Sequence, residues 1–535
     1  MPLTKKIKLF FVVIIILMSF LSGCIIDNWF GGTSFSLVSW NVINDEDFAS
    51  LNITFSSSGN TNIKLLNPNS LLLDSELFYR SEENQYATFH LAESRHSVKP
   101  GRYTLLVYDE NNNEIFSKKF NFKDSDISIL SCSQIWWDHF TFKGRYSLLS
   151  LKLNIRNNGD APSYPDNIKI FMDSEEITGL VIPSVIMPGE DRYIDSFIYR
   201  EAEPDNNTFD IHLKDIDGNI IATNSFSVNT QDTVPVKKYE WYHKGKRIIN
   251  IPRIEFLIDF YTGLDRINIE DYSLYVFDQY DDLYLDIILD LILKNFEGSS
   301  DLDKINYISS FVQNLDYKND DETNSSYEYP RYPVETLFNG NGGGDCEDLS
   351  ILLASLLNRL NYDVVLFRIP NHMAVGVNLS ADAIPNYEYY TENYYFLETT
   401  TVTPSCGYIP PSSKNPSELD IYPISLRPLI MHSWKNGHLS IYTIEGKSSN
   451  VKLTIVLQNL GISLAKNIII KGAFYTRYDQ ELNAESVTIS SLGPFMKKEV
   501  TIICDVPLNV NTWFKTRIYY DNEIVDEHQS VSSFP

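Results

Sequence analysis

Cysteine is scarce in this chain: five residues in 535, at Cys24, Cys132, Cys346, Cys406 and Cys504. That excludes a disulfide-built scaffold, and no pair has metal-ligand spacing, so each thiol is judged by itself. Basic residues are also few, 44 against 70 acidic ones, and the resulting charge of −26 repels phosphate backbones. No nucleic-acid partner is expected. Metal-spaced histidine pairs and a phosphate-cradling glycine loop are both lacking, so neither a metal nor another cofactor is expected. After residue 24 no apolar run is long enough to cross a bilayer. The rest is ordinary: 43% apolar and 21% charged residues exclude global disorder and leave room for about three to four domains.

The first segment reads as an address. Lys5, Lys6 and Lys8 precede an apolar stretch from Leu9 to Leu21, then Ser22, Gly23 and Cys24. A basic start, about a dozen apolar residues and small residues at a cleavage point make a secretory signal over 1–23. Leu21-Ser22-Gly23-Cys24 resembles the lipobox of prokaryotic lipoproteins, which implies cleavage before Cys24 and lipid on its sulfur. The other reading is an uncleaved anchor with an incidental cysteine. Either way the chain is expected on the outer face of the membrane or at the cell surface. Asn52, Asn206, Asn324 and Asn378 begin Asn-X-Ser/Thr triplets, which are common by chance.

Three β-rich segments flank one mixed segment. In 33–125, Leu51, Ile53 and Phe55 alternate with polar residues, as do Tyr103, Leu105 and Val107 after a Pro100-Gly101 turn. Period-2 alternation between turns predicts an antiparallel sandwich. Segment 126–230 has an internal partner at 428–535. Leu151, Leu153 and Ile155 run to Asn157-Asn158-Gly159; Leu453, Ile455 and Leu457 run to Asn459-Leu460-Gly461. Both copies resemble the immunoglobulin-like modules of extracellular prokaryotic proteins. Trp136 and Trp137 are expected in a core, with an exposed binding patch as the alternative.

Segment 235–427 mixes helices and strands, an α+β core. Asp282 to Phe296 and the spacing of Ile305, Ile308, Phe311 and Val312 predict two helices, and 314–341 reads as a long surface loop. Gly342-Gly343-Gly344-Asp345-Cys346 then leads into leucines at helical spacing as far as Asn361, a left-handed C-terminal residue. A thiol at a helix N-terminus is expected to have a lowered pKa and to be a nucleophile, with the glycines admitting a substrate backbone. His372 opens a strand after Pro370-Asn371 and is the candidate base; Glu398 ends the strand from Tyr394 and is the candidate orienting acid. Each residue alone has a structural reading: a small buried side chain, a polar strand mouth, a solvated carboxylate. The order Cys, His, carboxylate on helix, strand, strand is the specific signal.

Three stretches read together resemble a known family: Gly344-Asp345-Cys346-Glu347-Asp348, Asn371-His372-Met373-Ala374-Val375-Gly376 and Phe396-Leu397-Glu398-Thr399-Thr400. They look like the transglutaminase-like core of the papain-like cysteine enzymes, in the microbial branch, as does Tyr332-Pro333-Val334-Glu335-Thr336-Leu337. The resemblance implies Cys346 as nucleophile, His372 as general base and Glu398 where the family commonly has Asp. The tryptophan that lends an oxyanion donor in animal transglutaminases has no evident counterpart. The Cys346 N–H and a residue between Tyr327 and Asn341 are the substitutes. The implied function is acyl transfer through a Cys thioester on a protein or peptide substrate, with hydrolysis favoured over crosslinking. The competing reading is a catalytically silent surface scaffold or binding protein with the same fold.

Overall fold

The computed structural model describes residues 32–535 except 82, 124–125, 140–144, 230–231, 265, 267–270, 321–328, 339–341, 381–382, 385–386, 392, 403–404, 425–426, 436–439, 443–449, 508 and 535. The signal expected over 1–23, Cys24 and Asn324 lie outside these residues. The architecture is multidomain and mostly β, with one small helical region. No helix of the described residues is long and apolar enough to cross a membrane.

The alternating residues near the N-terminus do what their period requires. Leu51, Ile53 and Phe55 are buried between a three-stranded sheet and a four-stranded one. In the next segment one continuous eight-stranded sheet, rather than two separate ones, encloses the core. Its end strand Ile220–Val228 curls back so that the Asn224 amide reaches the Ile129 carbonyl at 2.8 Å. Trp136 and Trp137 are both buried. The C-terminal segment forms two four-stranded sheets around its own core.

The repeat between these two segments extends to single hydrogen bonds. Asn157 and Asn459 are both fully buried. Asn157 donates to the carbonyls of Ala161 at 2.8 Å and Ile186 at 2.9 Å and accepts from the Gly159 N–H at 2.9 Å. Asn459 donates to Ser463 at 2.8 Å and Gly493 at 3.1 Å and accepts from Gly461 at 3.0 Å. Each amide satisfies a turn that would otherwise bury unpaired backbone groups.

The mixed segment holds the largest core. A hairpin, Val236–Tyr242 with Lys246–Pro252, packs on the helices Glu255–Gly263, Asp282–Leu293, Asp301–Val312, Pro333–Phe338 and Cys346–Arg359. The second helix stops at Leu293, short of the expected Phe296, just before Glu297-Gly298-Ser299. Part of the expected surface loop is instead the buried helix Pro333–Phe338. Arg266 pairs with buried Glu335, which also accepts the Tyr332 N–H at 3.0 Å, so the Tyr332–Leu337 motif is a helix start. Four antiparallel strands follow in the order Tyr394–Leu397, His372–Asn378, Val364–Ile369, Asp420–Pro423. Asn361 has φ +63°, the left-handed conformation that ends the Cys346 helix.

The first and last sandwiches touch. His90 pairs with Glu499 at 3.1 Å, while Lys435 reaches Glu499 at 2.8 Å and Asp45 at 3.4 Å. Arg95 pairs with Asp166 at 2.7 Å beside this contact.

Candidate functional site

Cys346 is the first residue of its helix because three glycines let the chain arrive there. Gly342 and Gly343 have φ +82° and +103°. A Cβ on Gly343 would lie 1.9 Å from the Asp316 carbonyl, and one on Gly344 would lie 2.1 Å from the Asp348 carboxylate. The glycines therefore answer to the chain's own backbone and to Asp348, not only to an incoming substrate. Gly344 forms a parallel bridge with Tyr317, its N–H donating to Asp316 at 3.1 Å. Beneath the loop, buried Asp348 accepts the Arg331 N–H at 2.8 Å and pairs with its guanidinium, which reaches Asp320 at 3.0 Å.

The helix is fastened to the two strands that carry the other candidates. Ser350 donates to the Met373 carbonyl at 3.2 Å and lies 3.0 Å from the Thr399 hydroxyl. The Met373 backbone is near enough to the Cys346 thiol to favour its ionised form, so the thiol stands beside the residue that follows His372. His372 Nε2 lies 3.1 Å from Glu398 Oε2. Glu398 is almost wholly buried, and its other oxygen accepts from Thr399 N–H at 3.0 Å, Thr400 N–H at 2.9 Å and the Thr400 hydroxyl at 2.7 Å. Burial opposes its charge, but the His372 and Thr400 contacts outweigh burial and draw its pKa from 4.5 down to about 2. An ionised Glu398 fixes the proton on Nε2 and leaves Nδ1 as the basic nitrogen.

The thiol departs from expectation. Its pKa is raised, not lowered. Burial is the largest cause, followed by the charge of Glu347, the hydrogen bond from the sulfur to Glu347 Oε2 at 3.3 Å, and the charge of Asp345; the Met373 backbone opposes them. A helix N-terminus offers roughly half a positive charge, which burial and the full carboxylate charge of Glu347 outweigh. Asp345, buried beside Glu347, is itself pushed up to about 9.

The second oxyanion donor is not evident where it was expected. Among the described residues of 327–341, Tyr329 bonds Glu335, Arg331 bonds Asp348 and Thr336 bonds the Tyr332 carbonyl. Tyr317 is a candidate the sequence reading missed. It is half exposed, and its hydroxyl pKa is pushed up to about 12, by burial first and then by the acidic groups around it. Nothing local in the sequence marks it; its place depends on the bridge to Gly344.

No protein-family model matches the chain, and no curated protein does. Among solved structures, red sea bream transglutaminase matches at 11% identity over 72% of this chain and 80% of that one, with a TM-score of 0.19. Fibronectin(III)-like modules of Clostridium thermocellum CbhA match at 9% identity over 39% of this chain and 100% of that one, with a TM-score of 0.12. These are distant resemblances to a transglutaminase and to β-sandwich modules, and at such TM-scores they say nothing of activity.

Proposed function

We propose that this protein is an extracytoplasmic cysteine enzyme of the transglutaminase-like class, acting by acyl transfer on protein or peptide substrates. The observation that carries the reading is the His372–Glu398 pair at 3.1 Å, with His372 on a strand that packs against the helix headed by Cys346. The Cys346 proton passes to His372, and the sulfur forms a bond to the carbonyl carbon of a carboxamide or peptide. His372 returns that proton to the departing amine as the C–N bond breaks, leaving a thioester. Water attacks the thioester, one of its protons goes to His372 and then to the leaving sulfur, and a carboxylate is released. Tyr317 and the Cys346 N–H are the donors for the oxyanion. Residues 1–24 supply the membrane tether of this reading.

The test is to incubate the full chain with a peptide-amide library and read intact mass under acid quench. An acyl adduct on Cys346, discharged by hydroxylamine and missing in Cys346→Ala and His372→Ala, is expected. The silent-scaffold reading is favoured by one observation, the hydrogen bond from the Cys346 sulfur to Glu347 Oε2 at 3.3 Å. Its outcome in the same experiment is no adduct with any library member.

A further inference from the structure

Three groups of His, Asp and Glu side chains in the described residues bring possible ligand atoms within 4.8 Å of one another. Two are already occupied by a cation of the chain. Lys435 sits against Asp45 and Glu499 in the first, and Arg331 against Asp320 and Asp348 in the second. The third, His432, Asp526 and His528, pairs with no lysine or arginine among the described residues. It is also chemically different: two imidazoles and one carboxylate, the donors borderline divalent metals favour.

The group lies on the seam of the C-terminal sandwich. His432 belongs to strand Ile430–Trp434 of one sheet; Asp526 and His528 belong to strand Glu523–Gln529 of the other. Asp526 and His528 are two residues apart, so both point to one face. The side chains grade from enclosed to open, 0%, 14% and 46% exposed for His432, Asp526 and His528, which leaves a side for water.

The surroundings prepare the ligands. His432 Nε2 lies 2.6 Å from the Thr516 hydroxyl, which also accepts the Trp434 indole N–H at 2.8 Å. In the metal-free chain the 2.7 Å contact is Nδ1–H donating to Asp526 Oδ2; when an ion takes Nδ1, the Thr516 hydroxyl 2.6 Å from Nε2 can accept the ring's remaining proton, the tautomer a metal requires. The His432 backbone N–H holds Asp526 Oδ2 at 2.7 Å. That oxygen is 2.7 Å from His432 Nδ1 and 3.9 Å from His528 Nε2. Two ligands of a tetrahedral zinc ion, each about 2.0–2.1 Å from it, stand about 3.3 Å apart. One gap opens and the other closes by roughly 0.6 Å, a shift the half-exposed His528 ring supplies.

We propose that His432, Asp526 and His528 form a divalent-metal site of the zinc class that ties the first and last strands of the C-terminal sandwich together. The ion takes Nδ1 of His432, Oδ2 of Asp526 and Nε2 of His528, with water completing the shell. Any proton shared between Nδ1 and Oδ2 leaves to solvent. The ligands come from strands some 90 residues apart, which is why spacing in the sequence does not reveal them.

The test uses the full chain carrying Cys346→Ala and His372→Ala, so that neither the thiol nor His372 takes part. Zn2+ is titrated by calorimetry and Tm is read with and without it. One site per chain and a higher Tm are expected. Adding His528→Ala, a half-exposed position whose removal leaves the buried hydrogen bonds intact, should weaken binding at least about tenfold and abolish the Tm rise. Co2+ in place of Zn2+ should show the visible absorption of a tetrahedral site. No binding, or binding and a Tm rise that persist in His528→Ala, overturns the proposal.

Discussion

Glu347 Oε2 lies 3.3 Å from the Cys346 sulfur, one residue further along the same helix, and accepts the thiol hydrogen. The residue that supplies the nucleophile and the residue that keeps it protonated are thus neighbours in sequence. Glu347→Gln removes the charge but keeps an acceptor of the same shape. Alkylation of Cys346 by iodoacetamide at pH 7 should then become at least about tenfold faster, and its pH profile should move toward lower pH. An unchanged rate would assign the raised thiol pKa to burial alone.

Glu398 carries a two-part expectation. Glu398→Gln keeps an acceptor for His372 but loses the charge, and kcat/KM should fall on the order of ten- to a thousandfold. Stability should change as well, because the folded carboxyl has its pKa drawn down to about 2. A depressed carboxyl stabilises the fold fully above its unfolded value of about 4.3, and the contribution disappears as pH falls through the folded value. The wild type should therefore exceed Glu398→Gln by up to about 3 kcal/mol at neutral pH and converge with it near pH 2 in urea titrations.

Tyr317→Phe removes only a hydroxyl. If that hydroxyl meets the oxyanion, kcat should drop about a hundredfold with KM little moved, the pattern of a contact made in the transition state. Equal loss in both constants, or none, would return Tyr317 to a wall of the site.

Gly343→Ala places a Cβ 1.9 Å from the Asp316 carbonyl at φ +103°, whereas Gly189, at φ +75°, faces open space. Gly189→Ala should cost about 1 kcal/mol, the left-handed penalty alone. Gly343→Ala should cost at least twice that by denaturant unfolding and should also impair thiol labelling, because the strained loop is the one that delivers Cys346.

What the sequence disclosed follows from the range of the forces involved. The leucines from Leu349 to Leu357 and the left-handed Asn361 are local, and the helix runs Cys346–Arg359 as periodicity predicts. Asn157 and Asn459 were visible as a repeat, though not as the buried hubs of two turns. The helix Pro333–Phe338 was hidden: it is six residues long, too short for periodicity to register, and buried Glu335 is satisfied by the distant Arg266. The sign of the thiol's pKa shift was also hidden, because a helix N-terminus is legible in sequence whereas burial and the rotamers of Glu347 and Asp345 are not.

Lys435 and Asp45, which meet at the contact between the first and last sandwiches, stand 390 positions apart. At about 5–20 residues per second of synthesis, the first sandwich waits on the order of 20–80 s for its partner to emerge. Its edge strand Leu72–Phe78 carries Asp74 and Glu76, whose pKa values are raised in the finished molecule, by burial first, despite the nearby lysines. Before the last sandwich arrives those carboxylates are hydrated and charged, and charge on an edge strand deters pairing with a neighbouring chain. The same two side chains thus guard the first sandwich while it waits for the last one and become part of the closed contact once that one has folded against it. A chain truncated before Arg427 should hold the guard permanently, with both carboxyls titrating in the ordinary range by NMR.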